Sequence, residues 1–133
     1  MHRRRIDLLV LVLAIALAGT VGASPALAQK AGAKKLNKYT GNAKAAQEGR
    51  ALYLQYGCSG CHGVGGGGGM APSVTDDSWK FGSDDETLFK LIKGQIPEQT
   101  MPRVYAQVPD DEIWKMLAYI RSQYAGDPAK ADW

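Results

Sequence analysis

Three segments of the chain repeat apolar residues at the spacing of an α-helix. They cover residues 42–56, 83–93 and 110–124, and each is followed within two residues by a glycine, the usual residue just past a helix end. No convincing strand pattern accompanies them. This arrangement predicts an all-α fold with three main helices. The apolar stripes are Ala45, Gly49, Leu52, Tyr53 and Tyr56; then Leu88, Leu91 and Ile92; then Ile113, Met116, Leu117, Ile120 and Tyr124.

Capping side chains stand at the start of each segment. Asn42 precedes the first, Ser83 and Glu86 form an S-x-x-E capping box at the second, and Asp110 precedes the third. Acidic residues at 84–86 and 110–112 resemble catalytic carboxylate clusters, but capping and the helix dipole explain them at these positions. We therefore assign no catalytic residue.

The N-terminal residues have the pattern of a secretory signal peptide. Three arginines at positions 3–5 precede an unbroken apolar run at 8–18, and Ala26-Leu27-Ala28 is a small-x-small cleavage site. A retained membrane anchor is the alternative, but a spanning helix needs about 20 apolar residues and this run is shorter. We expect residues 1–28 to be cleaved after Ala28 and the remainder to be periplasmic.

The charge left after cleavage is close to neutral. Residues 1–28 contain three of the 16 Lys and Arg and one of the 13 Asp and Glu, so the remainder has a formal charge of about +1. That balance excludes nucleic acid as an expected partner. Residues 29–41 are rich in lysine and predict a flexible basic arm, residues 42–126 form the main domain, and 127–133 form a C-terminal tail.

The chain's only two cysteines lie in the sequence Cys58-Ser59-Gly60-Cys61-His62. The spacing C-x-x-C-H is the attachment signature of a c-type haem, in which the two thiols bind the porphyrin and the histidine binds the iron. A disulfide would close almost no loop, a thioredoxin-like site would need a βαβ context, and zinc would need four ligands. One covalent haem c is therefore the predicted cofactor.

Five consecutive glycines, residues 65–69, follow the motif. A phosphate cradle is a weak alternative because no P-loop Lys-Ser/Thr follows. We expect instead that the glycines permit close approach to a flat porphyrin edge.

The second iron ligand is predicted from loop reach. Three methionines are candidates, since the mature chain has no histidine besides His62. Met116 lies on a helical apolar stripe and is expected in the core, and Met70 follows His62 by only eight residues. Met101 lies 39 residues after His62 in a long irregular segment, 95–109, and is favoured over Met70. Methionine opposite histidine raises the reduction potential of a haem.

From about residue 43 to 124 the chain resembles a class I cytochrome c. The resemblance rests on the C-x-x-C-H-G motif, the Gly69–Pro72 segment, Met101-Pro102 and the terminal Ala118–Arg121. It implies that Cys58 and Cys61 hold the haem and that His62 and Met101 bind the iron. It also implies that the Pro72 carbonyl orients the His62 ring, that Trp79 lies near a haem propionate, and that Gly49 crosses near Tyr119. Gly49 stands nine residues before Cys58, where many members of this family have eight.

Residues 65–70, 77–82 and 119–128 are similar to a narrower group, the cytochromes that accept electrons from periplasmic quinoprotein methanol dehydrogenases, including lanthanide-dependent ones. The resemblance implies a monomeric electron carrier, not an enzyme, with a quinoprotein alcohol dehydrogenase as donor and another cytochrome c or a terminal oxidase as acceptor. Any contact with a membrane would be transient docking. The alternatives are a haem enzyme or gas sensor with an open iron site, and a donor to an oxidase unrelated to alcohol oxidation.

Overall fold

The computed structural model describes residues 37–127 of the 133-residue chain. Its elements are α1 (Ala43–Gln55), α2 (Cys58–His62), α3 (Asp85–Ile92), a 3₁₀-helix (Arg103–Gln107) and α4 (Asp110–Ser122). No strand occurs within these residues, and the all-α prediction is confirmed. Over the same range, none of the helices has the length and apolar character needed to cross a membrane. The predicted signal peptide, residues 29–36 of the arm and the tail from Pro128 lie outside the described residues.

Two of the three predicted caps are displaced by one residue. Asn42 caps α1 as expected, because its side-chain oxygen accepts a hydrogen bond from the Ala45 backbone N–H. At α3 the cap is Asp84, not Ser83, since the Asp84 carboxylate accepts from the Thr87 N–H at 2.9 Å. At α4 the cap position is Pro109, whose fixed φ suits a helix start, and Asp110 is the first helical residue.

Helix α1 packs across α4, and Gly49 lies at the crossing. A Cβ at Gly49 would overlap the Lys115 backbone carbonyl and lie 3.0 Å from the Met116 backbone nitrogen. The crossing therefore falls at Lys115 and Met116, one turn before the Tyr119 implied by the resemblance. Tyr119 instead meets Tyr53, one turn further along α1, in an edge-to-face contact with ring centroids 5.4 Å apart.

The core is formed mostly by the apolar stripe of α4. Ile113, Met116, Leu117 and Ile120 are all buried, as the helical spacing predicts. Val108, Leu88 and Tyr53 complete the buried cluster from the other elements. The predicted stripe residue Tyr124 lies beyond the end of α4.

The first described residues pack on the domain. Asn37 is 5% exposed, its backbone N–H donates to Asp85 and its side-chain amide donates to the Trp114 carbonyl at 2.7 Å. The Tyr39 hydroxyl donates to Asp111 at 2.7 Å. Asn37 and Tyr39 are therefore held against α3 and α4, and the extent of the flexible basic arm, residues 29–41, stays a prediction.

The acidic residues lie at the cap and in the first turn of α3 and α4, as predicted, but two of them also bind other elements. Asp85 is buried and paired with Arg121. Both Nε and Nη2 of Arg121 lie 2.8 Å from the Oδ1 atom of Asp85. In the other cluster, hydrogen bonds from Lys38 and Tyr39 hold the pKa of Asp111 well below its usual range. Asp85 and Asp111 therefore connect the first described residues, Asn37 to Tyr39, to α3 and α4.

Candidate cofactor site

The C-x-x-C-H sequence forms the short helix α2. Gly57, with φ of 72°, makes the sharp turn from α1, a conformation that favours glycine. Positions i, i+3 and i+4 share one face of a helix, so Cys58, Cys61 and His62 point the same way. All three line a single cavity, and both cysteines are half-buried free thiols.

A backbone carbonyl fixes the imidazole of His62. The Nδ1 atom lies 2.8 Å from the Pro72 oxygen, which is the contact implied by the resemblance. A carbonyl can only accept, so Nδ1 carries a proton, and in the neutral ring Nε2 is the nitrogen with the lone pair. The ring is therefore in the tautomer that can bind a metal through Nε2.

The glycine run packs against the backbone of α2. The Gly68 N–H donates to the His62 carbonyl at 2.8 Å, and the Ala71 N–H donates to the Cys61 carbonyl at 3.0 Å. A Cβ at Gly69 would lie 2.9 Å from that same Cys61 oxygen, which explains why this position needs glycine. Close approach is thus observed, but to the motif's own backbone; contact of the run with a porphyrin edge stays a prediction.

Two tyrosines from the crossing helices secure the residues just after His62. The Tyr53 hydroxyl donates to the Gly63 carbonyl at 2.8 Å, and the Tyr119 hydroxyl donates to the Val64 carbonyl at 3.2 Å. Burial is the main reason that the pKa of Tyr53 rises to about 12. Neither hydrogen bond is predicted from the sequence, because a backbone carbonyl as acceptor leaves no mark on the residue types involved.

The cavity in front of α2 has a volume of about 440 Å³, within the range of small-molecule sites. Burial raises the pKa of both the Cys58 thiol and the Tyr105 hydroxyl. Apolar residues line both this cavity and its inner extension: Val74, Trp79, Leu88, Leu91, Met101 and Tyr105. Two thiols and an imidazole facing an apolar cleft fit a covalently attached haem.

The three candidate methionines differ in their positions. Met101 is half-buried and lines the cavity together with His62, although it comes from a different segment of the chain. Met70 also borders the cavity but is 86% exposed. Met116 is 2% exposed in the core of α4, as predicted. The segment expected to be irregular contains the 3₁₀-helix Arg103–Gln107, directly after Met101-Pro102.

Trp79 lines the cavity, and its ring faces Arg121, whose guanidinium carbon lies 5.8 Å from the ring centroid. Arg121 also donates to the Ser83 carbonyl. The wall of the cleft is thereby joined to the buried ion pair with Asp85. The role of Trp79 beside a propionate stays a prediction.

An all-α fold that presents a C-x-x-C-H helix to an apolar cleft defines a class I c-type cytochrome. A family model described as cytochrome c oxidase, cbb3-type, subunit III, matches residues 44–120, so the chain belongs to this family of cytochrome c domains. Membership, together with Cys58 and Cys61, means that the protein carries one covalently bound haem c.

The chain is similar to several cytochromes c-L. It is 31% identical to cytochrome c-L of Methylorubrum extorquens over 73% of this chain and 49% of that protein. It is 32% identical to the cbb3-type cytochrome c oxidase subunit FixP of Bradyrhizobium diazoefficiens, over 61% of this chain and 28% of that protein. The chain thus spans half or less of these curated relatives.

Two solved structures have the same fold. Cytochrome cL from the marine methylotrophic bacterium Methylophaga aminisulfidivorans superposes with a TM-score of 0.67 at 34% identity, over 74% of this chain and 65% of that one. Cytochrome cL from Hyphomicrobium denitrificans gives a TM-score of 0.64 at 33% identity, over 71% and 56%. The fold and the family model thus agree on a monohaem domain of the cytochrome c type.

Proposed function

We propose that this protein is an electron carrier that works in the periplasm, accepts electrons from a quinoprotein alcohol dehydrogenase and passes them towards a terminal oxidase. In this proposal His62 and Met101 would bind the haem iron, and the protein transforms no substrate itself. When bound, the haem supplies a ferric/ferrous couple that stores one electron. The signal-peptide pattern of residues 1–28 supports export.

The half-buried position of Met101 at the cavity that His62 also lines is the observation that carries the ligand assignment. The hydrogen bond to Pro72 holds the His62 ring while Nε2 remains available, and largely apolar walls surround it. A methionine that closes the sixth position would turn the site towards electron transfer and away from oxygen chemistry.

The visible spectrum of the ferric holoprotein tests the ligand assignment. We expect a methionine-to-iron charge-transfer band that is lost in Met101→Ala and kept in Met70→Ala, which is a matched control because Met70 is a methionine of the same cavity rim. Loss in Met70→Ala with retention in Met101→Ala would reverse the assignment. A ferrous wild-type protein that binds carbon monoxide without treatment would support the open-site enzyme or sensor instead.

The similarity to cytochromes c-L, one of them from a bacterium described as methylotrophic, supports an alcohol dehydrogenase as electron donor. Stopped-flow mixing of alcohol-reduced, PQQ-containing methanol dehydrogenase with ferric protein tests this step. We expect haem reduction whose rate saturates with dehydrogenase concentration, and no reduction by dehydrogenase that has received no alcohol. Slow reduction that never saturates would contradict the proposed donor.

One observation favours a second role, as an electron donor to an oxidase unrelated to alcohol oxidation. The matching family model and the similarity to FixP both concern subunits of cbb3-type oxidases. Rapid oxidation of the ferrous protein by a cbb3-type oxidase, combined with failure of the dehydrogenase reaction, would select this role.

A further inference from the structure

The segment before Met101 contains a tight turn at residues 96–99. The Gln99 N–H lies 3.4 Å from the Ile96 carbonyl, Pro97 occupies the second position and Glu98 the third. Glu98 has φ of 59°, the only positive φ among the described non-glycine residues. Proline followed by a positive φ is the pattern of a type II turn, in which the third position favours glycine. The turn is therefore held in place by contacts outside its own backbone.

The side-chain amide of Gln99 supplies those contacts. Its Oε1 accepts from the Ile96 N–H at 3.0 Å, which closes the turn a second time. Its Nε2 donates to the Leu91 carbonyl at 2.9 Å and to the Met101 carbonyl at 3.0 Å. One amide thus uses both of its N–H bonds to join the last turn of α3 to the backbone of Met101.

We propose that Gln99 is a positioning residue that holds the Met101 backbone against α3 and thereby keeps the methionine sulfur in the cleft. The proposal rests on the assignment of Met101 as iron ligand in the proposed function. Gln99 itself is not among the residues that line the cleft. Its effect on the iron would pass only through the Met101 backbone.

The proposal predicts a change in ligand exchange. An external ligand such as imidazole can bind the iron only when Met101 leaves, and that departure breaks the Gln99 contacts. In the wild-type protein, release of Met101 from the iron costs the free energy of the Gln99 hydrogen bonds. In a variant without those bonds the cost is absent, so imidazole binds more tightly. Two neutral hydrogen bonds are expected to change the apparent affinity for imidazole by roughly ten- to a hundredfold.

Imidazole titration of the ferric holoprotein, followed by the shift of the Soret band, measures this affinity in every variant, including Met101→Ala, which lacks the charge-transfer band. Gln99→Ala removes all three hydrogen bonds. Gln99→Glu keeps the shape and the acceptor for Ile96 but sets a carboxylate against the Leu91 and Met101 carbonyls. Gln107→Ala is the matched control, because Gln107 is an exposed glutamine of the same loop. Guanidinium unfolding of each variant reports global stability separately.

We expect both Gln99 variants to bind imidazole at least tenfold more tightly than the wild-type protein, and Gln107→Ala to match the wild type. Unchanged imidazole affinity in both Gln99 variants, with lowered global stability, would show a purely structural glutamine and overturn the proposal. Met101→Ala separates the two assignments. If it binds imidazole no more tightly than the wild type, Met101 is not the ligand and both proposals fail; if it binds more tightly while the Gln99 variants do not, only the Gln99 proposal fails.

Discussion

The buried pair of Asp85 and Arg121 yields the sharpest stability prediction. Their side chains are 1% and 3% exposed, and Arg121 reaches one carboxylate oxygen with two nitrogens, each at 2.8 Å. The other carboxylate oxygen accepts from the Asn37 N–H at 3.0 Å. Arg121→Met would remove the cation and leave a buried carboxylate with that single backbone donor.

The cost of that change can be bounded. Removing one partner of a buried ion pair costs about 3–5 kcal/mol, because the remaining charge stays out of water. Small domains are stable by only about 5–15 kcal/mol, so this loss is a large part of the whole. Asp85→Asn is expected to cost a similar amount. The double variant should lose less than the sum, by roughly 2 kcal/mol, since the unpaired buried charge that each single variant leaves is absent when both are changed.

Guanidinium unfolding of the holoproteins, followed by far-ultraviolet circular dichroism, gives the four free energies of this cycle. Arg50→Met is the matched control, since Arg50 is an exposed arginine of α1 and its loss should change stability by less than about 0.5 kcal/mol. The reasoning fails if Arg121→Met costs less than about 1 kcal/mol, or if the single effects add without coupling.

Three further changes test the packing of the domain. Gly49→Ala should destabilise the holoprotein by about 3 kcal/mol, because its Cβ would overlap a carbonyl of α4, whereas Gly60→Ala, with no atom within 4 Å, should be near neutral in the same chemical unfolding assay. Burial raises the pKa of Tyr53 to about 12, so the unfolded chain ionises first and stability should fall between about pH 10 and 12. Tyr53→Phe should flatten that fall in unfolding curves measured across the range, and an unchanged pH slope would contradict the assignment. Glu98→Gly should raise the free energy of unfolding by about 0.5–1 kcal/mol and the melting temperature with it. The left-handed conformation is strained for a non-glycine residue, and that strain exceeds the entropy that glycine gains in the unfolded chain. A lowered melting temperature would show that Glu98 is not strained.

The helices were predictable because the spacing of the apolar residues agreed with the positions of the capping residues and of the glycines that follow each helix. The stripe of α4 and the Asn42 cap are where the pattern put them. The buried ion pair was not predicted, although both partners stand in register with the apolar stripes: Arg121 follows Leu117 by four residues, and Asp85 precedes Leu88 by three. Two opposite charges on two core faces are a signal for a buried pair. We attributed the acid to capping because its position at a helix start offered a sufficient local reason.

Only those site residues that form a recognisable sequence motif could be predicted. Cys58, Cys61 and His62 form a fixed pattern, and the contact between His62 and Pro72 followed from the family resemblance. The hydrogen bonds of Gln99 join it to backbone carbonyls, which every residue has, so no residue type at either end marks the contact. Such contacts appear only when the chain is folded.

The two sides of the cleft are supported unequally, and this asymmetry predicts an order of unfolding. On the His62 side, the buried Tyr53 and Tyr119 donate to the carbonyls just after α2, and the Pro72 carbonyl accepts from the His62 ring. On the Met101 side, the Met101 carbonyl is held by one glutamine.

Segments with few contacts open before the core unfolds. In guanidinium, the charge-transfer band of the ferric protein should therefore disappear at a lower concentration than the helical circular dichroism, and Gln99→Ala should widen that gap while Gln107→Ala leaves it unchanged. Coincident transitions in all three proteins would mean that the Met101 loop unfolds only together with the helices, and that the asymmetry has no energetic consequence.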